Sequence, residues 1–206
     1  MKSNGSPGNV LLTYFEPFGG SDFNASSIVK ELQIPGSEGS LKTLELPVSY
    51  SQCWPSLSEH LEINSLPQLI LAFGEAGDRQ DISVERVAVN WMEGTLPDND
   101  GSQINGKMIS AGGPDGIFAD LPISTLVRNL EGQTPISIRV SNTAGTYVCN
   151  SLLYHLLSWT KNHACTGGFV HVPALRPSSP DFSPAWSNLK ISLELLLTKI
   201  VSEGCK

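Results

Sequence analysis

Short apolar runs punctuated by Gly, Pro and Asn alternate along the chain with longer stretches of three-to-four apolar spacing, and this alternation predicts most of the elements. Residues 10–15 form a compact apolar run ending in Glu16-Pro17-Phe18-Gly19-Gly20, which predicts a buried first strand and its loop. Asn24 or Ser26 can then cap a helix running to Leu32. A second strand is expected over residues 41–47, a helix over 50–63, and a strand covered on both faces over the unbroken apolar run 68–74. Alternation with β-branched residues predicts one strand over 82–90, followed by a long irregular stretch, 91–122, rich in Gly, Asp and Asn. Loops of that length in a compact domain usually carry function. The remaining pattern predicts helices over 124–130, 146–159 and 186–201 and strands over 136–140 and 168–172.

Strands and helices alternate without an internal repeat or a dividing linker, which predicts one α/β domain over residues 1–206. The expected architecture is a three-layer α/β/α sandwich with a twisted, mostly parallel central sheet. The polar, Gly/Ser-rich residues 1–9 are expected to form a flexible N-terminus. At 206 residues with 40% apolar content, the chain is long enough to bury a continuous core.

Charge then narrows the partners. A net charge of −7 with no Lys/Arg cluster argues against a nucleic-acid partner, which needs a basic face. No apolar run approaches the roughly 20 residues that span a bilayer, and no signal-type stretch opens the chain, so neither a membrane nor secretion is expected and the cytoplasm is. Cys53, Cys149, Cys165 and Cys205 lack CxxC or metal-ligand spacing and are expected to be reduced, with no metal site and no cofactor. Asp98-Asn99-Asp100-Gly101 lacks the spaced carboxylates of a calcium loop and reads as a turn. GxSxG, P-loop and GxGxxG motifs are absent.

The segment Ser141 to Asn150 carries the chemistry that remains. It reads as a strand end, a small-residue turn and a helix start, with Cys149 just inside. Taken alone, Cys149 also fits a core position on the apolar stripe of Leu152, Leu153, Leu156 and Leu157. Thr146 as a cap would place the thiol in the first helical turn, where partial positive charge lowers a thiol pKa, and Ala144-Gly145 lets a substrate backbone approach. His171 stands near the end of a predicted strand, and open α/β sheets assemble sites at the C-terminal ends of parallel strands, the end at which the Cys149 turn is also expected. His60, His155 and His163 read as surface residues. Glu85 lies inside an apolar strand, where it either pairs with Arg79 or Arg86 or orients an imidazole. Phe15 and Phe18 read as core aromatics or as walls of a small apolar pocket.

Together these segments resemble pyroglutamyl peptidase type I, the pyrrolidone-carboxylate peptidases. The likeness rests on Phe15-Glu16-Pro17-Phe18-Gly19-Gly20, Gly74-Glu75-Ala76-Gly77 with Arg79, Val84-Glu85-Arg86-Val87-Ala88-Val89-Asn90, Leu96-Pro97-Asp98-Asn99, Ser141 to Asn150 and Gly168 to Pro173. The resemblance implies a cytosolic cysteine peptidase acting on peptides with an N-terminal pyroglutamate, with Cys149, His171 and Glu85 as its triad. It also implies that Phe15 and Phe18 flank the substrate ring, that Tyr147, Val148 and Leu96 line the pocket, and that the Glu75 backbone hydrogen-bonds the lactam. Tyr14 stands where the family commonly has Gly, Glu75 where many bacterial members have Gln, and Thr95 where many have Arg. A Tyr14 ring beside the pocket would narrow it. Two other readings stay open on the sequence: a thiol amidohydrolase of the same fold acting on another small amide, and an idle ligand-binding relative. The resemblance leaves homo-oligomerisation open.

Overall fold

In the computed structural model, which describes residues 9–35 and 39–203, fifteen short elements build around one six-stranded sheet. In chain order they are β1 (Val10–Phe15), a 3-10 helix (Ala25–Glu31), β2 (Leu41–Leu46), α1 (Cys53–Ile63), β3 (Leu69–Ala76), β4 (Ile82–Glu85), β5 (Val87–Val89) and β6 (Met92–Glu93). There follow β7 (Asn105–Lys107), β8 (Gly116–Phe118), α2 (Ile123–Leu130), β9 (Ile138–Ser141), α3 (Val148–Thr160), β10 (Thr166–Pro173) and α4 (Phe182–Glu203). Except for Asn9, the N-terminus expected to be flexible lies outside the described residues, as does Cys205.

The sheet order is β2-β1-β3-β10-β4-β9, with every neighbouring pair parallel except β10 and β4. The apolar run in β3 explains itself by alternation: Leu69, Leu71 and Phe73 face the 3-10 helix, α2 and α4, while Ile70 and Ala72 face α1 and α3. Two core clusters therefore lie on opposite faces of the sheet, giving the three layers. Each fully buried Leu or Ile there contributes about 1.5–3 kcal/mol of transfer free energy.

Several sequence expectations change. The strand predicted over 82–90 breaks at Arg86, whose N–H donates to the Ser141 carbonyl. Beyond the break, β5 pairs antiparallel with β8 in a separate two-stranded sheet. The irregular stretch 91–122 holds β8 and a second small pairing, β6 with β7. The expected helix after Asn24 is a 3-10 helix, with Asn24 Oδ1 accepting from Ser26 N–H at its start. Thr146 does not cap α3; that position belongs to Tyr147, and the Thr146 hydroxyl donates to the Glu93 carbonyl. Tyr14 points away from Phe15, into the opposite core, where the Lys30 ammonium lies 5.4 Å from its ring centroid. Strand alternation thus removes Tyr14 from the pocket side, and no narrowing arises.

Candidate active site

The site forms over the sheet face covered by α1 and α3, where the ends of β1 and β3 and the final residues of β10 meet. β9 runs opposite to β10, so the turn bearing Cys149 does not leave from a shared C-terminal edge, contrary to the sequence expectation. Residues 142–147 instead carry the chain back to α3. Gly145 at φ +77° supplies the backbone turn that side chains disfavour. The Asn150 side chain then anchors the helix start, bonding the N–H and carbonyl of Val89 and the carbonyl of Trp91.

Gly74 makes room for the sulfur. A Cβ there would stand 2.9 Å from Cys149 Sγ and 2.9 Å from Phe169 Cζ. Gly74 is the direct parallel-sheet partner of His171, so the thiol and the imidazole sit over adjacent strand positions on the same face. His171 Nδ1 lies 2.8 Å from Glu85 Oε1, and the Glu85 side chain is wholly buried. An ionised carboxylate only accepts, so Nδ1 is the donor in this bond and Nε2 is the ring nitrogen left for the cavity. The ion pair with Arg79 that the sequence offered as an alternative is also present, at 2.5 Å from the same oxygen; Arg86 instead donates to Ser124 Oγ. The two readings of Glu85 coexist.

A cavity of about 160 Å³ opens beside these groups, lined by Phe15, Phe18, Asn24, Val48, Glu75, Ala144, Tyr147, Val148, Cys149 and His171. Its wall is held from behind. Asn24 Nδ2 donates to the Glu16 carbonyl, Ser26 Oγ accepts from Phe15 N–H, and the Tyr147 hydroxyl donates to the Pro97 carbonyl. The Glu75 carboxylate takes two guanidinium bonds from Arg176, at 2.6 and 2.8 Å, and one from Ala25 N–H at 2.7 Å, so it offers the cavity no unpaired charge. Leu96 is not part of this lining. It is 56% exposed and borders an adjoining groove of about 680 Å³ that shares Phe18 and Tyr147 with the cavity.

Asn24, Val48 and Ala144 belong to the lining although nothing in the sequence pattern marked them as pocket residues. Asn24 carried a capping signal, and Ala144 a small-residue signal in the turn before Cys149. Arg176, in a polar loop after β10, carried none. Of the histidines expected at the surface, His163 is exposed, whereas His155 is half-buried and stacked on Trp54, its pKa lowered by desolvation. Cys53 and Cys149 are free thiols. Among the described residues no cluster of three or more metal-ligating side chains occurs, and no helix is long and apolar enough to cross a membrane.

The thiol behaves differently from the expectation of a helix-activated thiolate. Although Cys149 is half-buried as a residue, desolvation pushes its thiol up to about 12, reinforced by Cys53 and the Glu85 carboxylate and opposed by Arg79 and by the backbone N–H of Cys149 itself. Loss of water around a buried anion outweighs the partial charge at the helix start. A raised pKa keeps the thiol protonated near neutrality, with the thiolate fraction growing tenfold per pH unit below that pKa. The rate of Cys149 alkylation by iodoacetamide, followed by peptide mapping, should therefore climb with unit slope from about pH 7 to about pH 10. A plateau from about pH 8.5, where an ordinary free thiol ionises, would contradict the raised value.

Comparison with known proteins adds an independent finding. A family model described as pyroglutamyl peptidase matches residues 8–186. The pyrrolidone-carboxylate peptidase of Thermococcus onnurineus is 41% identical over 177 residues, covering 84% of this chain and 86% of the relative. That of Erwinia tasmaniensis is 35% identical, covering 96% and 95%. Among solved structures, pyroglutamyl peptidase I of Bacillus amyloliquefaciens matches with a TM-score of 0.83 at 34% identity, covering 95% of this chain and 98% of that one.

Proposed function

The chain belongs to the pyroglutamyl peptidase family and is a peptidase of the cysteine type, and we propose that Cys149, His171 and Glu85 release an N-terminal 5-oxoproline from peptides. The observation that carries this assignment of roles is the buried His171–Glu85 bond beside a small, charge-poor cavity that also contains Cys149.

The sulfur attacks the carbonyl that joins 5-oxoproline to the next residue, forming the S–C bond as His171 Nε2 takes the thiol proton. A base is required because the thiol starts protonated. His171 then passes that proton to the leaving amine nitrogen as the C–N bond breaks, leaving a thioester on Cys149. Water attacks the thioester, giving a proton to Nε2, and the sulfur leaves and regains it. Base and acid assistance of this kind adds ~10² to 10⁴-fold. Glu85 fixes the ring and its tautomer through Nδ1.

Developing charge on the carbonyl oxygen needs donors. Tyr147 supplies no side-chain cap to α3, which supports assigning the backbone N–H groups of Val148 and Cys149 at the helix start to the oxyanion. One such donor is typically worth ~3 to 4 kcal/mol.

Specificity follows from charge. A lactam ring is compact and neutral, and the aromatic and aliphatic lining from Phe15, Phe18, Val48 and Val148 suits it. An ordinary N-terminus would bring an ammonium into a cavity whose one carboxylate, Glu75, is already paired with Arg176. Residues beyond the ring have the adjoining groove past Phe18, Tyr147 and Leu96. Because the nucleophile is a thiol, the reading favours a reducing compartment, the cytoplasm.

A panel of pyroglutamyl, glutamyl and prolyl arylamides tests the reading. Cleavage of the pyroglutamyl compound alone is expected. Cleavage of another small amide in its place would assign a thiol amidohydrolase, and cleavage of none would leave an idle binding protein.

A further inference from the structure

A fixed positive charge lies beside the proposed catalytic pair, and the triad alone does not account for it. Arg79 Nη1 donates to Glu85 Oε1, the same oxygen that faces His171 Nδ1, while Glu85 Oε2 is buried with no hydrogen-bond partner. The other end of the guanidinium fork, Nη2, donates at 2.9 Å to the carbonyl of Thr143, in the turn that leads to Cys149.

From this geometry we infer that Arg79 is a positioning residue of the reaction: it fixes the Glu85 carboxylate with Oε1 turned to His171, and it ties that carboxylate to the turn leading to Cys149. The inference rests on the roles proposed above for Cys149, His171 and Glu85. Its physical basis is that a buried carboxylate is costly unless paired, and a neutral imidazole offers a hydrogen bond but no charge. The guanidinium brings a full positive charge against the Glu85 carboxylate, which the His171 hydrogen bond by itself does not supply. The fork geometry matters as well, since a guanidinium reaches two acceptors in fixed directions and an ammonium does not.

The surrounding charges do not duplicate this role. Asp81, just before β4, is paired with Arg139 of β9 and accepts from Ser83 Oγ. Arg86 turns to Ser124, Glu75 of β3 is paired with Arg176, and α3 presents Cys149. Removing the Arg79 charge takes a neighbouring cation from the Glu85–His171 pair, so the pair as a unit takes up a proton at higher pH and the acidic limb of activity moves upward.

The test is kcat and KM for a pyroglutamyl arylamide across pH in the parent, R79Q and R79K. In R79Q the acidic limb of kcat/KM should move up by about one pH unit or more, with kcat lowered roughly 10²-fold and KM little changed. In R79K the limb should return to the parent position because the charge is kept, while kcat stays reduced because one of the two acceptors is lost. Added methylguanidinium should partly restore R79Q. An R79Q limb that coincides with the parent's overturns the inference, whatever the rate. Should R79Q fail to fold, R79K decides: a parental limb with lowered kcat supports the role, and an unchanged kcat overturns it. A parent that does not cleave the substrate would overturn the functional reading itself, whereas a cleaving parent with an unmoved R79Q limb overturns only the role of Arg79.

Discussion

Cys149→Ser is expected to abolish pyroglutamyl-arylamide turnover, by roughly 10⁵- to 10⁶-fold, as when a hydrolase catalytic unit loses its nucleophile. The substitution replaces sulfur by a smaller atom at a half-buried position, so the fold should be retained. Thermal unfolding should stay close to that of the parent, which separates lost chemistry from lost structure. The hydroxyl inherits the same base and the same cavity, yet its proton is far harder to remove, and desolvation there already raises even the thiol. Turnover by the serine variant at a tenth of the parent rate would remove Cys149 from the mechanism.

His171→Ala is the second large effect, expected to lower kcat about 10³- to 10⁴-fold with KM little altered. The reason lies in the protonation state of the nucleophile. A thiol held above its ordinary range cannot rely on a standing thiolate, so loss of Nε2 removes the acceptor for its proton. Alanine also leaves a ring-sized space beside Glu85, and added imidazole should recover part of the rate. Glu85 keeps its bond to Arg79 in this variant, so the carboxylate is not left unpaired. A variant retaining most of the parent kcat would show that another group accepts the proton.

Much of this arrangement was legible in the sequence for identifiable reasons. The continuous apolar run of β3 and the punctuated run of β1 marked buried strands because burial on both faces leaves no polar alternation to read. The turn before Cys149 was legible because Ala144-Gly145 is a pair of small residues, and the helix after it carries a clear leucine stripe. Glu85 stood out as a carboxylate within an apolar strand. What stayed hidden depends on chain direction and on distant pairing. Nothing local to Ile138–Ser141 says that β9 and β4 run against β10, so the route from strand to nucleophile was misplaced. The break at Arg86 is likewise set by where β8 and Ser141 offer partners, and those lie far along the chain. Leu96 was assigned to the ring pocket by resemblance, while folding sets it across the shared rim of Phe18 and Tyr147.

Thiol chemistry shows the same division. Position at a helix start is a local property and pointed to activation, whereas desolvation depends on what α1, β3 and β10 bring around the sulfur. The second effect wins, and it is why the proposed mechanism uses His171 as a base during attack rather than as the partner of a resident thiolate. The two carboxylates illustrate it further. Glu75 and Glu85 are both buried, but Glu75 is paired with an arginine and a backbone N–H, while Glu85 shares one oxygen between Arg79 and the His171 ring. Partners, not residue type, separate a carboxylate closed off by an arginine from one that faces an imidazole.

The most direct measurement is covalent trapping with a chloromethyl ketone derived from 5-oxoproline, read by peptide mapping. The ketone seats its ring where the substrate ring would lie and alkylates whatever nucleophile faces the scissile carbonyl. The account predicts one adduct, on Cys149, blocked by excess 5-oxoproline amide and slowed in the His171→Ala variant. An adduct on Cys53 or Cys165 instead, or labelling of Cys149 that the amide does not block, would contradict the claim that the thiol, the imidazole and the lactam pocket form one site.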